Sequence, residues 1–316
     1  MSEEALRAVT VPKKKSFWRY FATNRALYIM LIPGLLNLAL FKYFPMWGII
    51  ISFQQYHPAF GIAGSKWVGF KHFVDFVNDP YFFRLIRNTL VLGAYTLMFM
   101  FPAPIIFALL LNELRAFRYK RITQTISYMP HFLSIVVVIG LLRDLTGTVD
   151  GEINNVIASL GFDKIAFFSR PEWFRPMYIL SGIWQQVGFG SIIYLAAISG
   201  INPELYESAI IDGANRFRQI WSVTLPSILP TIMILFILAV GGILGNDFQK
   251  ILLMYSPFTY ETADVIQTYI YRVGLESVGF NFSYAAAVGL FQAVISLVFL
   301  VGTNRLAKSL SEYSLW

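Results

Sequence analysis

The 316-residue chain is 56% hydrophobic and 17% aromatic, and only 14% of its residues are charged, where a soluble domain usually carries about 25%. That deficit excludes an ordinary soluble protein and predicts one polytopic membrane unit. The lack of any cysteine removes disulfides, thiolate metal sites and cysteine nucleophiles, and in a membrane protein the net charge of +7 reads as topology, not as nucleic-acid binding.

The chain opens with a basic stretch, VPKKKSFWRYFATNRALYIM, and no small-residue cleavage site follows its apolar run. Residues 1–25 are therefore read as a basic cytoplasmic arm ahead of an uncleaved first span. A helix that crosses a bilayer needs about 20 mostly apolar residues. Six segments qualify: 26–53, 88–111, 125–142, 178–200, 227–245 and 285–303. The first contains Pro33 and Pro45, which predict a kink or an extension beyond the membrane. The third is closed early by Arg143 and Asp144. Residues 26–81 form the first span and an external segment, 82–304 the core, and 305–316 a cytoplasmic tail. The prediction is an all-α integral membrane protein of six transmembrane helices.

An even number of spans places both termini on one side. If that side is the cytoplasm, the dense basic loops all lie inside: Arg115, Arg118, Lys120 and Arg121, then Arg216 and Arg218, then Arg305 and Lys308. Short loops of this kind set orientation. The three long outer stretches, about 54–87, 143–177 and 246–284, are rich in aromatics and in Gly and Pro. They are expected to be ordered caps, either as an aromatic belt at the headgroups or as a docking surface for an external partner.

The most polar stretch of the second half is YESAIIDGANRFRQIWSVTLP, residues 206–226. Asn202, Pro203 and Glu204 begin a helix: a cap, a first-turn proline and an acid at the positive helix end. Gly213 breaks it by allowing a backbone angle that other residues avoid. Phe217, Ile220, Trp221, Thr224 and Leu225 then form one less polar stripe at helical spacing, and Pro226 is expected to separate this second helix from the fifth span. By periodicity alone the loop is an amphipathic hairpin.

The literal string says more. It resembles the E-A-A-x-x-x-G loop of permease subunits in binding-protein-dependent ABC importers, through Glu207, Ala209, Asp212, Gly213, Ala214, Phe217, Ile220, Leu225 and Pro226, with Ser208 in place of the second alanine. The resemblance covers nearly the whole chain. YIMLIPGLLNLALFKYFPMWGIIISF, QTISYMPHFLS, ADVIQTYIYRVGL and the terminal SLW are similar to permeases of polysaccharide- and oligosaccharide-type importers, and more distantly to the larger maltose permease subunit. The resemblance implies the type I ABC importer permease fold with a cytoplasmic coupling helix. It also implies an oligosaccharide substrate, a second homologous permease, two ATPase subunits that hold ATP and Mg, and an extracellular solute-binding protein. The coupling residues it implies are Glu207, Ser208, Ala209, Asp212, Gly213, Ala214, Arg216 and Phe217. The membrane is the bacterial cytoplasmic membrane.

Residues that touch solute should be polar, deep and on the later spans. His131 and Ser134 in span three, Trp184, Gln185 and Gln186 in span four, and Asn246 and Asp247 after span five meet that description. His131 is equally a helix-packing histidine, and the two glutamines are equally interhelical hydrogen-bonding partners. Asn246 and Asp247 sit either on the path or at its outer mouth. The three histidines have no metal-ligand spacing, and there is no Walker-type glycine loop, so no catalytic set or cofactor is expected in this chain. An ion-gradient-driven transporter is the rival reading, and a membrane-embedded enzyme the third. Few charges lie deep enough to couple an ion gradient.

Overall fold

The computed structural model describes residues 23–277 and 280–310. Most of the basic N-terminal arm and the end of the C-terminal tail lie outside them. The chain divides into two units, residues 1–50 and 51–316.

The first unit is dominated by helix α1 (Arg25–Phe53), which runs on into residue 53. None of Arg25–Leu38 is buried. Pro33 sits inside the helix, and a wide turn over Ala39–Tyr43 precedes Pro45.

The second unit contains α2 (Lys71–Val77), α3 (Phe82–Glu113), α4 (Phe117–Phe132), α5 (Ile135–Thr146), α6 (Glu152–Ser159), α7 (Pro171–Ser199), α8 (Pro203–Ile211), α9 (Arg216–Gly241), α10 (Phe248–Met254), α11 (Ile266–Tyr271) and α12 (Phe282–Ser309). Among the described residues five helices, α1, α3, α7, α9 and α12, are long and apolar enough to cross a membrane, and α4 with α5 makes a sixth if the pair counts as one span. This chain is a multi-pass membrane protein. The pair corrects the expected third span over 125–142, which is not one continuous helix: its halves meet at 101°. Pro130 is buried at the break, and Ser134 begins α5, its hydroxyl accepting from the Val137 N–H. Breaking a helix frees backbone carbonyls that lipid cannot satisfy. Gln185 of α7 supplies a partner, donating to the Leu133 carbonyl at 3.2 Å.

Pro226 is the second correction. It does not separate two helices, because α9 continues from Arg216 to Gly241. The turn over Ile220–Thr224 is widened, with the Leu225 N–H reaching the Ile220 carbonyl. Proline lacks an N–H and collides with the carbonyl four residues back, and a wide turn just before it relieves both. The same device precedes Pro102, where Thr96–Met100 is widened within α3. The stripe expected on this helix also splits. Thr224 is buried, whereas Phe217 and Trp221 are well exposed and stand edge to face at 6.2 Å.

Three apolar clusters bind the second unit together. Ile105, Ala108, Tyr194, Ile198 and Ile228 join α3, α7 and α9. Leu92, Ile139, Phe174, Tyr178 and Ile251 join α3, α5, α7 and α10. Phe76, Leu85, Ile266, Tyr284 and Val288 join α2, α3, α11 and α12.

The loops between spans are folded. Residues 54–55 and 66–67 pair as a two-stranded antiparallel ribbon. Asn154, fully buried, closes the loop after α5 by donating to the carbonyls of Thr146, Gly147 and Ile165 and accepting from the Ile165 N–H.

The long segment between α9 and α12 is fastened by ions. The fully buried Asp264 carboxylate accepts from Arg84 at 3.1 Å, from both terminal nitrogens of Arg272 at 3.1 and 2.7 Å, and from the Thr268 hydroxyl at 3.0 Å. Burial alone would lower the Arg272 pKa, but its hydrogen bonds and charge contact with Asp264 raise it. Asn88 adds bonds to the carbonyls of Tyr260, Glu261 and Asp264, and its own carbonyl accepts from Arg175 of α7.

Removing one partner of a buried ion pair costs about 3–5 kcal/mol, because the other charge stays behind without it. Asp264→Asn is expected to lose stability on that scale, read as a fall in melting temperature and yield of the purified protein. Glu172→Gln, at the exposed 4.0 Å contact with Arg170, should move neither measurably. Equal behaviour of the two variants would remove the cluster from its structural role.

Candidate functional site

The first candidate site is the hairpin of α8 and the start of α9. Asn202 caps α8, its side-chain oxygen accepting from the Glu204 N–H. At the other end the Ala214 N–H reaches back to the Ala209 carbonyl at 2.8 Å, and the Gly213 N–H to the Ile210 carbonyl at 3.0 Å. This pair of bonds is a helix stop that needs a left-handed residue, and Gly213 has φ +77°. Asn215 then caps α9 by accepting from the Arg218 N–H. Two contacts hold the hairpin to the spans. Arg216 pairs with Glu113 at the end of α3 at 3.0 Å, and the Tyr206 hydroxyl meets the Thr224 hydroxyl at 2.9 Å.

Of the residues singled out in this loop, Glu207, Ser208, Asp212, Gly213, Arg216 and Phe217 are exposed, and Ala209 and Ala214 are half-buried. The exposed residues include apolar ones. Ile210 and Ile211 are 61% and 85% exposed. Apolar side chains displayed on a polar hairpin mark a docking surface more readily than a solvated one.

The second candidate site is a cavity of about 580 Å³ between α3, α7 and α9. One end, where α3 and α7 begin and α9 stops, is lined by Tyr178, Asn246 and Asp247. The rest is apolar, with Leu97, Phe101 and Ile193 among the lining residues. Asn246 is buried and donates to the Thr89 carbonyl at 3.4 Å. Asp247 caps α10, accepting from the Lys250 N–H, while its own N–H donates to the Tyr178 hydroxyl at 3.2 Å.

The remaining residues expected on a solute path stand elsewhere. His131 donates from Nδ1 to the Gln186 side-chain oxygen at 2.8 Å and lies flat on Phe189 at 3.8 Å. Gln185 is buried and spends its N–H on Leu133, while Ser134 spends its hydroxyl on α5. Trp184 lines a separate apolar pocket against α5. The structure thus gathers His131 with Gln186, and Asn246 with Asp247, but does not bring the two pairs into one cavity.

Sequence reasoning missed Lys250. It is 2% exposed, donates from Nζ to the Tyr178 carbonyl at 2.8 Å, and lies 4.7 Å from the Tyr178 ring centre. Its signal was a lysine three residues beyond Asp247, inside the FQKILLM run. Burial pushes its pKa down from 10.5 to about 8, and the nearby Asp247 charge offsets only part of that.

Residues 100–312 match the family described as "Binding-protein-dependent transport system inner membrane component". The chain is 45% identical to the polygalacturonan/rhamnogalacturonan transport system permease protein YteP of Bacillus subtilis (strain 168), over 96% of this chain and 94% of that one. It is 43% identical to Protein LplB of the same organism, over 97% and 99%. Among solved structures it is similar to a chain of a bacterial alginate ABC transporter in complex with an alginate pentasaccharide-bound periplasmic protein. That match has a TM-score of 0.86 at 43% identity and covers 95% of this chain and 99% of the other.

A buried ammonium whose pKa is depressed costs stability while it is charged. Lys250→Met is therefore expected to raise the melting temperature at pH 7. The folded state releases this proton near pH 8 and the unfolded state near 10.5. Wild-type stability rises across that window, and the gap between variant and wild type should narrow there. Melting curves from pH 7 to pH 10 test this, and a gap that stays constant contradicts it.

Proposed function

The chain belongs to the family of binding-protein-dependent transport system inner membrane components, and from that membership we propose that it is a permease subunit of an ATP-driven importer of acidic oligosaccharides or polysaccharide fragments. The observation that carries the reading is the α8–Gly213–α9 hairpin, which displays Ile210, Ile211, Phe217 and Trp221 among charged and polar side chains. In this reading α8 is the coupling helix and rests on an ATPase subunit. Two ATPase subunits hold ATP and Mg, a second homologous permease completes the membrane part, and an external solute-binding protein delivers the sugar. The hairpin and residues 115–121 face the cytoplasm, and the folded segments 54–86, 146–177 and 250–284 face outward. The cavity end lined by Asn246 and Asp247 is then the outer end.

The acidic substrate is supported by two relatives at more than 40% identity. One is named for polygalacturonan and rhamnogalacturonan, the other is the chain of an alginate transporter. Both names denote uronate-bearing polymers. An ion-gradient-driven transporter is disfavoured, because the family works with a separate delivery protein and the spans bury few charges.

The direct test is reconstitution of the complete complex in proteoliposomes. Trigalacturonate uptake should require ATP and the binding protein, and should persist when ion gradients are collapsed. Uptake driven by a gradient without ATP would falsify the reading.

The coupling assignment has its own test. Proline cannot adopt the +77° angle of Gly213, so Gly213→Pro should leave the complex assembled and abolish uptake. Gly213→Ala, which strains the backbone by about 1–2 kcal/mol, should be partly active. Orientation is tested with Ser222→Cys in this chain without native cysteine. An impermeant thiol reagent should leave intact cells unlabelled and label inverted vesicles.

A further inference from the structure

Lys250 is not explained by stability. A buried cation ordinarily lies against a carboxylate. Among the described residues Lys250 makes no ion pair, and its ammonium donates one hydrogen bond, to the Tyr178 carbonyl. The carboxylate closest in sequence, Asp247, accepts from the Lys250 backbone N–H and not from its Nζ. Two of the three ammonium donors therefore have no protein acceptor among the described residues.

The place of this ammonium is informative. A Cβ built on Gly182 of α7 meets the Met100 side chain, with Sδ at 3.0 Å, and the Lys250 Nζ at 3.1 Å. Met100 and Tyr178 both line the cavity between α3, α7 and α9. The ammonium does not itself line the cavity; it lies behind Tyr178 and near Met100, two of the lining residues, and the Met100 thioether is on an unbranched, easily moved side chain. Glycine at position 182 leaves room for both side chains beside α7.

We propose that Lys250 is the residue that recognises a sugar carboxylate at the outer end of the cavity, reached when the Met100 side chain swings aside. This rests on the acidic-substrate reading above and adds the residue that carries it. A carboxylate brings two acceptor oxygens and a negative charge, which match the two unspent donors and the unpaired cation. Such charge-assisted bonds are shorter and roughly twice as strong as neutral ones. A sugar hydroxyl satisfies a donor but leaves the charge unpaired. Asn246 and the Tyr178 ring stand at the same end and suit the hydroxyls and apolar face of the same sugar unit. Asp247 also lines that end; apart from it the remaining lining is largely apolar, and it offers a carboxylate no other cation.

The test uses the assembled complex of this chain with its partner permease and ATPase subunits, without the binding protein, so that the latter's preference does not enter. Equilibrium binding of trigalacturonate is compared with that of its fully methyl-esterified form, which removes charge and keeps the sugar. Wild type should bind the acid about tenfold more tightly, a difference of about 1.4 kcal/mol. Lys250→Met should bring the two within about twofold, and Lys250→Arg should restore the preference, as charge-assisted pairing requires. Met100→Ala leaves Lys250 in place and unmasks it, so the preference should rise. This second variant decides the matter if Lys250→Met does not assemble. An unchanged preference in Lys250→Met, or in Met100→Ala where the first variant cannot be made, overturns the proposal. So does a wild-type complex that imports trigalacturonate with ATP yet binds acid and ester alike. A wild-type complex that shows no ATP-driven trigalacturonate uptake fails the substrate reading itself, and this one with it.

Discussion

Asp264 is a charge removed from water and held by two guanidiniums and a hydroxyl. That arrangement is costly to assemble and more costly to leave half-made, so its members are locked to one another. Arg84 comes from the start of α3 and Arg272 from the segment after α11. Through Asn88 the cluster reaches Arg175 at the start of α7. Two spans and the long segment between α9 and α12 therefore meet at one point. The residues that follow this segment's first helix take their positions from that fastening, whereas Asn246 and Asp247 are held by the Thr89 carbonyl and the Tyr178 hydroxyl. Asp79 makes a smaller version of the same junction, accepting from the hydroxyls of Tyr269 at 2.5 Å and Tyr284 at 2.9 Å. Burial, followed by its hydrogen bond to Asp79, raises the Tyr269 pKa to about 12 and keeps it a donor.

A second constraint acts where there is no water. Every backbone group at membrane depth needs an internal partner, yet this chain carries Pro102, Pro130 and Pro226 within or beside its spans. It meets the difficulty in two ways. Before Pro102 and Pro226 a single wide turn lets the helix continue. At Pro130 the helix breaks through 101°, and side chains from α7 occupy the break: Gln185 on the Leu133 carbonyl, Gln186 on His131. Gln185 and Gln186, two of the residues singled out for the solute path, also make contacts at this break.

Continuity through Pro226 has a mechanical consequence. Helix α9 carries the hairpin at its start and lines the cavity near its end with Leu235 and Ala239, about two and a half and three and a half turns beyond Pro226. A 26-residue helix is about 39 Å long, enough to reach from the hairpin to the cavity. A displacement of the hairpin by a docked subunit would reach the cavity along one continuous helix. Had Pro226 separated two helices, the two sites would have been joined by a flexible corner.

The sequence by itself determined the spans, because the bilayer imposes a length and an apolar composition that no other context demands. It also determined the hairpin, because Asn202, Pro203, Gly213 and Asn215 act through bonds to neighbours a few residues away. Local chemistry of that kind is written in local sequence. Tertiary structure alone decided whether a proline breaks a helix or is absorbed by a widened turn. It decided that Gln185 serves a carbonyl 52 residues distant, and that Asp264 gathers Arg84 from 180 residues away. It also decided that Lys250 is buried without an ion pair among the described residues, behind Tyr178 and near a methionine from another span. Each of these depends on which helices pack together, and in a chain where nearly every helix is apolar all round, the hydrophobic pattern carries little information about its neighbours.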